Sequence, residues 1–343
     1  LFIIKGLKDM VNLQGEWNLK DLKKNKEWLL ELNKSDQNEI IRATKHSLSL
    51  KKSVYKITKE DFPISSFQER INIIQNQIQG NFGFVVLKKL PVKEFNDEEC
   101  KYMLWGLGQY LGFAEPQDKA GSLLHMITDT GKSVDNTDNI RGFQTSEELQ
   151  FHTDGADIFA LLCIRSAKEG GLSKLVSSVA IFREIEKTEP ELCEILLNDF
   201  YFDTRAQNPN EKQIQKLPIF VKHGGLISGL HKRKYIETAQ RFPEVPRLSE
   251  KQIEALDLVD KLCSSPEFCL QLKLEPGDLE IASNSTTFHS RENYIDYDDP
   301  GKKRLMLRLW LSLYNGRPLP EQYAKTREWE PTFKRRRENQ LNL

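Results

Sequence analysis

No stretch of this chain is apolar for long enough to cross a bilayer. The opening run Leu1-Phe2-Ile3-Ile4 is soon broken by Lys5, Lys8 and Asp9, and is too short for the core of a signal peptide as well. Neither membrane association nor secretion is expected. Cysteine is scarce and unpatterned: Cys100, Cys163, Cys193, Cys263 and Cys269 are odd in number, widely spread and contain no CxxC pair. That argues against a disulfide framework and against a zinc knuckle, and fits a reducing cytoplasm. A charge excess of one sign is missing too. Lys and Arg number 50 against 50 Asp and Glu, so there is no broad electrostatic footprint for a phosphate backbone and nucleic acid is not an expected partner. The basic runs Lys20 to Lys26 and Lys334 to Arg337 read as solvated faces. Internal repeats, low-complexity tracts and heptads are absent.

What is there suits a globular protein acting on a small or medium organic molecule: 343 residues at 38% hydrophobic can bury a sizeable core. Residues 1–78 are rich in Lys, Asn and Glu with scattered apolar positions, and read as a helical N-terminal extension. Gly83-Phe84-Val85-Val86-Leu87 is a short apolar run bounded by Gly80 and Pro91, hence a buried strand that opens a core over residues 79–325. A charged tail, 326–343, follows. Helices are expected around 95–112, around 179–198 with a break near Pro190, and around 250–263, where Ser249-Glu250-Lys251-Gln252 is a capping box. Strands are expected at Phe159 to Ile164, Ile219 to Lys222, Leu226 to Leu230, Phe268 to Leu274, Leu279 to Ala282 and Arg304 to Leu313. This points to a mainly β protein with flanking helices, closed or double-sheeted. The polar stretches 128–148 and 204–216 suit surface loops and are candidate lids.

Within the core, Phe151-His152-Thr153-Asp154-Gly155 carries the first chemical signal. Residues i and i+2 of an extended segment point the same way, so His152 and Asp154 can reach one ion while Thr153 points elsewhere. Gly155 would allow close approach of backbone and ligand. His289 is the favoured third ligand, because Glu275-Pro276-Gly277-Asp278 has Pro and Gly at the centre of a type II turn that launches Leu279-Glu280-Ile281-Ala282 towards Asn284 and His289. Two imidazoles and one carboxylate on one face of an octahedral ion leave three positions open, the arrangement of non-haem Fe(II) oxygenases.

The second signal is Arg304-Leu305-Met306-Leu307-Arg308-Leu309-Trp310-Leu311-Ser312-Leu313, whose period of two is nearly perfect. One face is all leucine. The other sets Arg304 and Arg308 on the same side, roughly 13 Å apart at about 3.3 Å per residue. Arginine makes bidentate, permanently charged contacts with carboxylates, so one can anchor a dicarboxylate cosubstrate and the other an acidic group of the main substrate. Gly170-Gly171-Leu172-Ser173 reads as a turn delivering a hydroxyl to the same pocket. Gln144, Thr145, His125 and Arg141 are further candidates from the polar loops.

With these residues assembled, roughly residues 80 to 325 of the chain resemble the taurine dioxygenase and clavaminate synthase-like family of Fe(II)- and 2-oxoglutarate-dependent oxygenases. The resemblance rests on the ordered series His152-Thr153-Asp154, Gly170-Gly171-Leu172-Ser173, Glu275-Pro276-Gly277-Asp278, Phe288-His289-Ser290-Arg291 and Arg304 to Trp310. It implies a double-stranded β-helix, or jelly roll. It implies His152, Asp154 and His289 as iron ligands, Ser173, where threonine is more usual, and Arg304 on the distal carboxylate of 2-oxoglutarate, and Arg308 on an anionic group of the prime substrate. The implied cofactors are Fe(II), 2-oxoglutarate and O2. The implied reaction couples decarboxylation of 2-oxoglutarate to succinate and CO2 with oxidation, most simply hydroxylation, of an amino acid, carboxylate or sulfonate.

In related halogenases the carboxylate ligand is replaced by a small residue, so Asp154 argues against halogenation; desaturation, cyclisation and dealkylation stay open. A non-catalytic metal- or ligand-binding β-barrel is the alternative of another class, but a closed structural site needs no anion anchor. A nucleic-acid or histone demethylase on the same fold would show a basic groove. A betaine-type hydroxylase would carry an N-terminal zinc module, whereas residues 1–99 hold no cysteine and only His46.

Overall fold

The computed structural model describes residues 14–118, 120–131, 145–205 and 212–339. Its centre is a pair of sheets. The larger, seven-stranded one contains β1 (Leu29–Glu31), β2 (Phe84–Lys88), β3 (Gly112–Ala114), β4 (Leu124–Ile127) and β6 (Ile158–Arg165), with β9 (Leu279–Ser283) and β11 (Leu305–Leu313). Its order is β1-β2-β9-β6-β11-β3, and β4 pairs with β11 as well. The smaller sheet has the order β8 (Leu270–Leu272), β7 (Ser173–Ser177), β10 (Thr287–Arg291), β5 (Leu149–His152). Pairing is antiparallel except for β1 on β2.

Period-two alternation decides which way each strand faces. Leu305, Leu307, Leu309, Leu311 and Leu313 of β11 join Val85, Leu87, Ile158, Ala160, Leu162, Leu279 and Ile281 in one apolar layer. That layer packs under the helices Lys34–Ser49, Gln68–Gln79 and Asp97–Gly108, which contribute Ile40, Ile71, Ile74, Met103 and Leu104. Each fully buried leucine here contributes about 1.5–3 kcal/mol. On the smaller sheet, Phe151, Val176 and Phe288 turn outwards to the helices Ser178–Thr188, Pro190–Leu196 and Glu250–Cys263. Both inner faces meet between the sheets, where Phe84, Phe159 and Ala282 touch Leu175. The expected jelly roll is present as two stacked sheets with helices on both outer faces, not as a closed barrel.

The Ser249 capping box is present as expected, and further boxes join it. Asn33 with Asp36, Asn96 with Glu99 and Ser249 with Gln252 close capping boxes on their helices. Pro190 starts a new helix after the break at Glu189, because it has no N–H to continue the first one. In the Glu275–Asp278 turn the Asp278 N–H donates to the Glu275 carbonyl and Gly277 takes φ +95°. A Cβ there would lie 2.5 Å from the Leu90 carbonyl oxygen, so glycine is required on both counts. The segments outside 79–325 also pack on the core. Trp17 is buried and donates to the Phe82 carbonyl at 2.7 Å, and Arg336, in the helix Glu330–Glu338, pairs with Asp157 at 2.5 Å. All five cysteines are free and buried. Among the described residues no helix is long and apolar enough to cross a membrane.

The expected loop 204–216 differs in part: Ile214–Leu217 forms a hairpin with Phe200–Asp203, and residues 206–211 lie outside the described residues. Of the other polar stretch, 132–144 lie outside them too, and with them Arg141 and Gln144.

Candidate metal centre and anion pocket

His289 lies in the middle of β10, and its cross-strand partner is His152, the last residue of β5. Because Phe288 and Phe151 face the outer helices, alternation turns both imidazoles inwards; their ring centroids are 4.3 Å apart. Asp154 follows two residues after His152, just past the end of β5. The strand has ended, and the chain bends, with Ala156 at φ +64°. Asn284 holds that bend. Its Oδ1 accepts from the Asp154 N–H at 3.0 Å, while its Nδ2 donates to the Gly155 carbonyl at 2.9 Å and the Ala156 carbonyl at 3.3 Å. The result is that one ligand atom each from His152, Asp154 and His289 lie within 4.8 Å of one another.

The electrostatics keep these donors in ligating form. Burial lowers the His289 pKa well below the ordinary histidine range, helped by His152, and lowers that of His152 too. Burial alone would raise the Asp154 pKa, but Arg308 and the two histidines hold the carboxylate well below its usual range. Asp154 Oδ2 accepts from Arg308 Nη1 and from Trp310 Nε1, both at 3.0 Å. His152 Nδ1 lies 2.8 Å from the Gln150 carbonyl, which assigns its proton to that nitrogen and leaves Nε2 for an ion. Neutral imidazoles and an ionised carboxylate on one wall of a cavity fit Fe(II).

Gly155 belongs to this frame. An added Cβ would lie 3.0 Å from Trp310 Cζ3 and 3.2 Å from the Glu328 carbonyl. Gly155→Ala is therefore expected to cost about 1–3 kcal/mol of stability, measured by chemical denaturation. Asn284→Ala, which releases the bend carrying Asp154, is expected to weaken Fe(II) binding by roughly 10–100-fold in a metal titration. Wild-type iron affinity in that variant would remove Asn284 from the frame.

His152, Asp154 and His289 share a cavity of about 60 Å³ with Ser173, Glu280, Arg291 and Arg304. Arg304 is 4% exposed; its guanidinium lies over the Tyr294 ring at 5.0 Å, and its Nη1 has no hydrogen-bond partner among the described residues. Arg291 lies over the same ring at 4.8 Å, with Nη2 donating to the carbonyls of Thr145 and Glu147 and with Nε and Nη1 unpartnered among the described residues. Such buried, unpartnered guanidinium groups are costly unless an anion joins them. Arg308 is placed otherwise: it donates to Asp154 and, from Nε at 2.8 Å, to Gln117 Oε1. Thr145 reaches the site through its carbonyl, and His125 faces Asp118 at 2.9 Å. Asn284, Arg291, Tyr294 and Glu280 had no role in the sequence reading. Glu280 left a legible trace, as an acid among apolar residues in a strand.

The chain matches the Taurine catabolism dioxygenase TauD, TfdA family over residues 49–310. It is 28% identical over 336 residues to FR-33289 synthase of Streptomyces rubellomurinus, covering 95% of this chain and 97% of that one. It is 26% identical over 252 residues to a uridine-5'-phosphate dioxygenase of Streptomyces sp, covering 69% and 87%. In fold it is similar to asparagine oxygenase in complex with Fe(II), 2S,3S-3-hydroxyasparagine and succinate, with TM-score 0.65 and 16% identity over 83% of this chain and 93% of that one. The non-heme iron oxygenase OrfP with Fe and alpha-ketoglutaric acid gives 0.60 and 13% over 82% and 93%. The chain belongs to the TauD/TfdA family and is an Fe(II)- and 2-oxoglutarate-dependent dioxygenase.

Proposed function

We propose that His152, Asp154 and His289 hold the iron, that Ser173 and Arg304 anchor the distal carboxylate of 2-oxoglutarate, and that Arg308 meets an anionic group on a small prime substrate. The observation that carries this reading is the placement of three ligand atoms within 4.8 Å of one another in the same cavity as the unpartnered Arg304 Nη1. We assign the chemistry to residues 79–325, with 1–78 as an extension and 326–343 as a tail.

Bound iron supplies the oxidising chemistry, coupled to decarboxylation of 2-oxoglutarate. The protein's own groups bind and orient. Arg304 fixes one end of the cosubstrate by a charge-assisted contact in a dry pocket, where such a contact is strong. Ser173, the first residue of β7 and paired across the sheet with Arg291, adds a hydroxyl. Phe159, Leu161 and Ile127 line the cavity with apolar surface and keep bulk water from the reacting groups. Arg308 and Trp310 orient the Asp154 carboxylate.

The substrate class follows from Arg308 together with the relatives. Uridine-5'-phosphate carries a phosphate; asparagine oxygenase is seen with 2S,3S-3-hydroxyasparagine, and OrfP, in a further structure, with (3S)-hydroxy-L-Arg, both amino acids with a carboxylate. We assign to this chain an amino acid, carboxylate, sulfonate or phosphate, with hydroxylation as the outcome. The test is succinate release by the iron-loaded protein over a panel of small molecules and their uncharged ester or amide analogues. Anionic members are expected to raise release above the substrate-free rate by at least about tenfold, as a lost buried charge contact costs more than about 2 kcal/mol. Equal stimulation by the uncharged analogues would contradict an anionic substrate.

A further inference from the structure

The cavity is lined by a second acid besides Asp154, and the mechanism above does not use it. Glu280 sits in β9 between Val86 of β2 and Leu161 of β6. Its neighbours Leu279 and Ile281 face the helices, so alternation sends Glu280 inwards, where it is 0% exposed. Neither carboxyl oxygen makes a hydrogen bond of ordinary geometry with any of the described residues. Burial pushes the group up to about 7 against the opposing pull of Ser173 and Arg304.

A carboxylate buried near a guanidinium ordinarily closes into an ion pair. Here it does not, and Arg304 Nη1 and both Glu280 oxygens are left without hydrogen-bond partners among the described residues, in one cavity. Around Arg304 stand Arg291, Tyr294, Asp296 and Cys163, whose thiol is pushed up to about 12 by burial and stays neutral. The iron ligands line the same cavity; β2 and β6 set only Val86 and Leu161 beside Glu280 in register. A group joining this pocket must therefore accept from Arg304 and also satisfy the Glu280 carboxyl.

We propose that Glu280 serves as a neutral carboxylic acid donating a hydrogen bond to the distal carboxylate of 2-oxoglutarate, beside Arg304 and Ser173, so that the cosubstrate enters together with one proton whenever Glu280 is ionised beforehand. This rests on the assignment of Arg304 and Ser173 to that carboxylate. Two carboxylates side by side in a dry pocket cannot both stay ionised, so binding raises the proton affinity of Glu280 further. Below about pH 7 the proton is already there and affinity is flat. Above it, each bound cosubstrate takes up a proton, and the apparent Kd rises towards tenfold per pH unit, or roughly 30-fold by about pH 8.5.

The experiment is anaerobic calorimetry of 2-oxoglutarate binding to the Fe(II) protein in buffers of different ionisation heat at about pH 6 and about pH 8.5, with Kd read in parallel from the visible band of the chelate. Expected for the wild type is uptake of close to one proton at the higher pH and close to none at the lower. Glu280→Gln, which keeps a neutral donor, is expected to take up none and to bind at the higher pH as tightly as the wild type does at the lower. A flat wild-type Kd without proton uptake overturns the Glu280 role alone, as does an unchanged slope in Glu280→Gln. The wild-type proton count decides the matter if that variant fails to fold. No band and no binding heat at either pH would instead overturn the anchor assignment beneath it.

Discussion

Arg304→Ala should raise the 2-oxoglutarate concentration needed for half-saturation on the order of 100-fold, because truncating one partner of a buried charge pair costs about 2–5 kcal/mol. The side chain is buried and its Nη1 has no hydrogen-bond partner among the described residues, so its removal takes away a cosubstrate contact. Fe(II) binding should stay near the wild-type level, since none of the three ligands hydrogen-bonds to Arg304. Removing this cation also leaves Glu280 without its nearest positive charge, which favours the protonated acid still more. An unchanged 2-oxoglutarate requirement, measured by succinate formation against cosubstrate concentration, would reassign the end of β11 to a structural role.

Asp154→Ala should abolish iron-dependent turnover and reduce Fe(II) affinity by more than about 100-fold, as even the outer partners of metal ligands cost 10–100-fold. The fold should survive. Asp154 is held by its neighbours and holds little in return: the Asn284 clamp acts through the backbone of residues 154 to 156, which alanine keeps. What is lost is the acceptor for Arg308 and Trp310, a penalty of about 2–5 kcal/mol for a buried charge pair, offset in part by the Gln117 contact of Arg308. Metal titration and thermal melting of the same variant separate the two effects. Full turnover in Asp154→Ala would remove the carboxylate from the metal centre.

The central strands of the larger sheet, β2, β9, β6 and β11, were legible in the sequence, and three of the four strands of the smaller one were not, for a physical reason. In β11 and β9 one face meets helices and is uniformly Leu or Ile, so period two is plain in the residues. In β5, β7 and β10 the inner face carries the site: His152, Ser173, His289 and Arg291 dilute the apolar pattern, and none of the three was expected as a regular strand. The His152 and Asp154 pair was found through a tripeptide spacing. Its geometry nevertheless depends on Asn284, which lies 130 residues away and is brought near by the pairing of β9 with β6. Arg304 and Arg308 share a face as the alternation required. Their different surroundings come from Tyr294, Gln117 and Trp310, contacts that only the stacked sheets create.

The most direct measurement is an anaerobic titration of the metal-free protein with Fe(II) and 2-oxoglutarate, followed by the visible charge-transfer band of the chelate. The wild type should give the band, and His289→Ala should lose it while remaining folded by circular dichroism. Absence of the band in folded wild-type protein, or its persistence in His289→Ala, would contradict the assignment of His152, Asp154 and His289 to the iron.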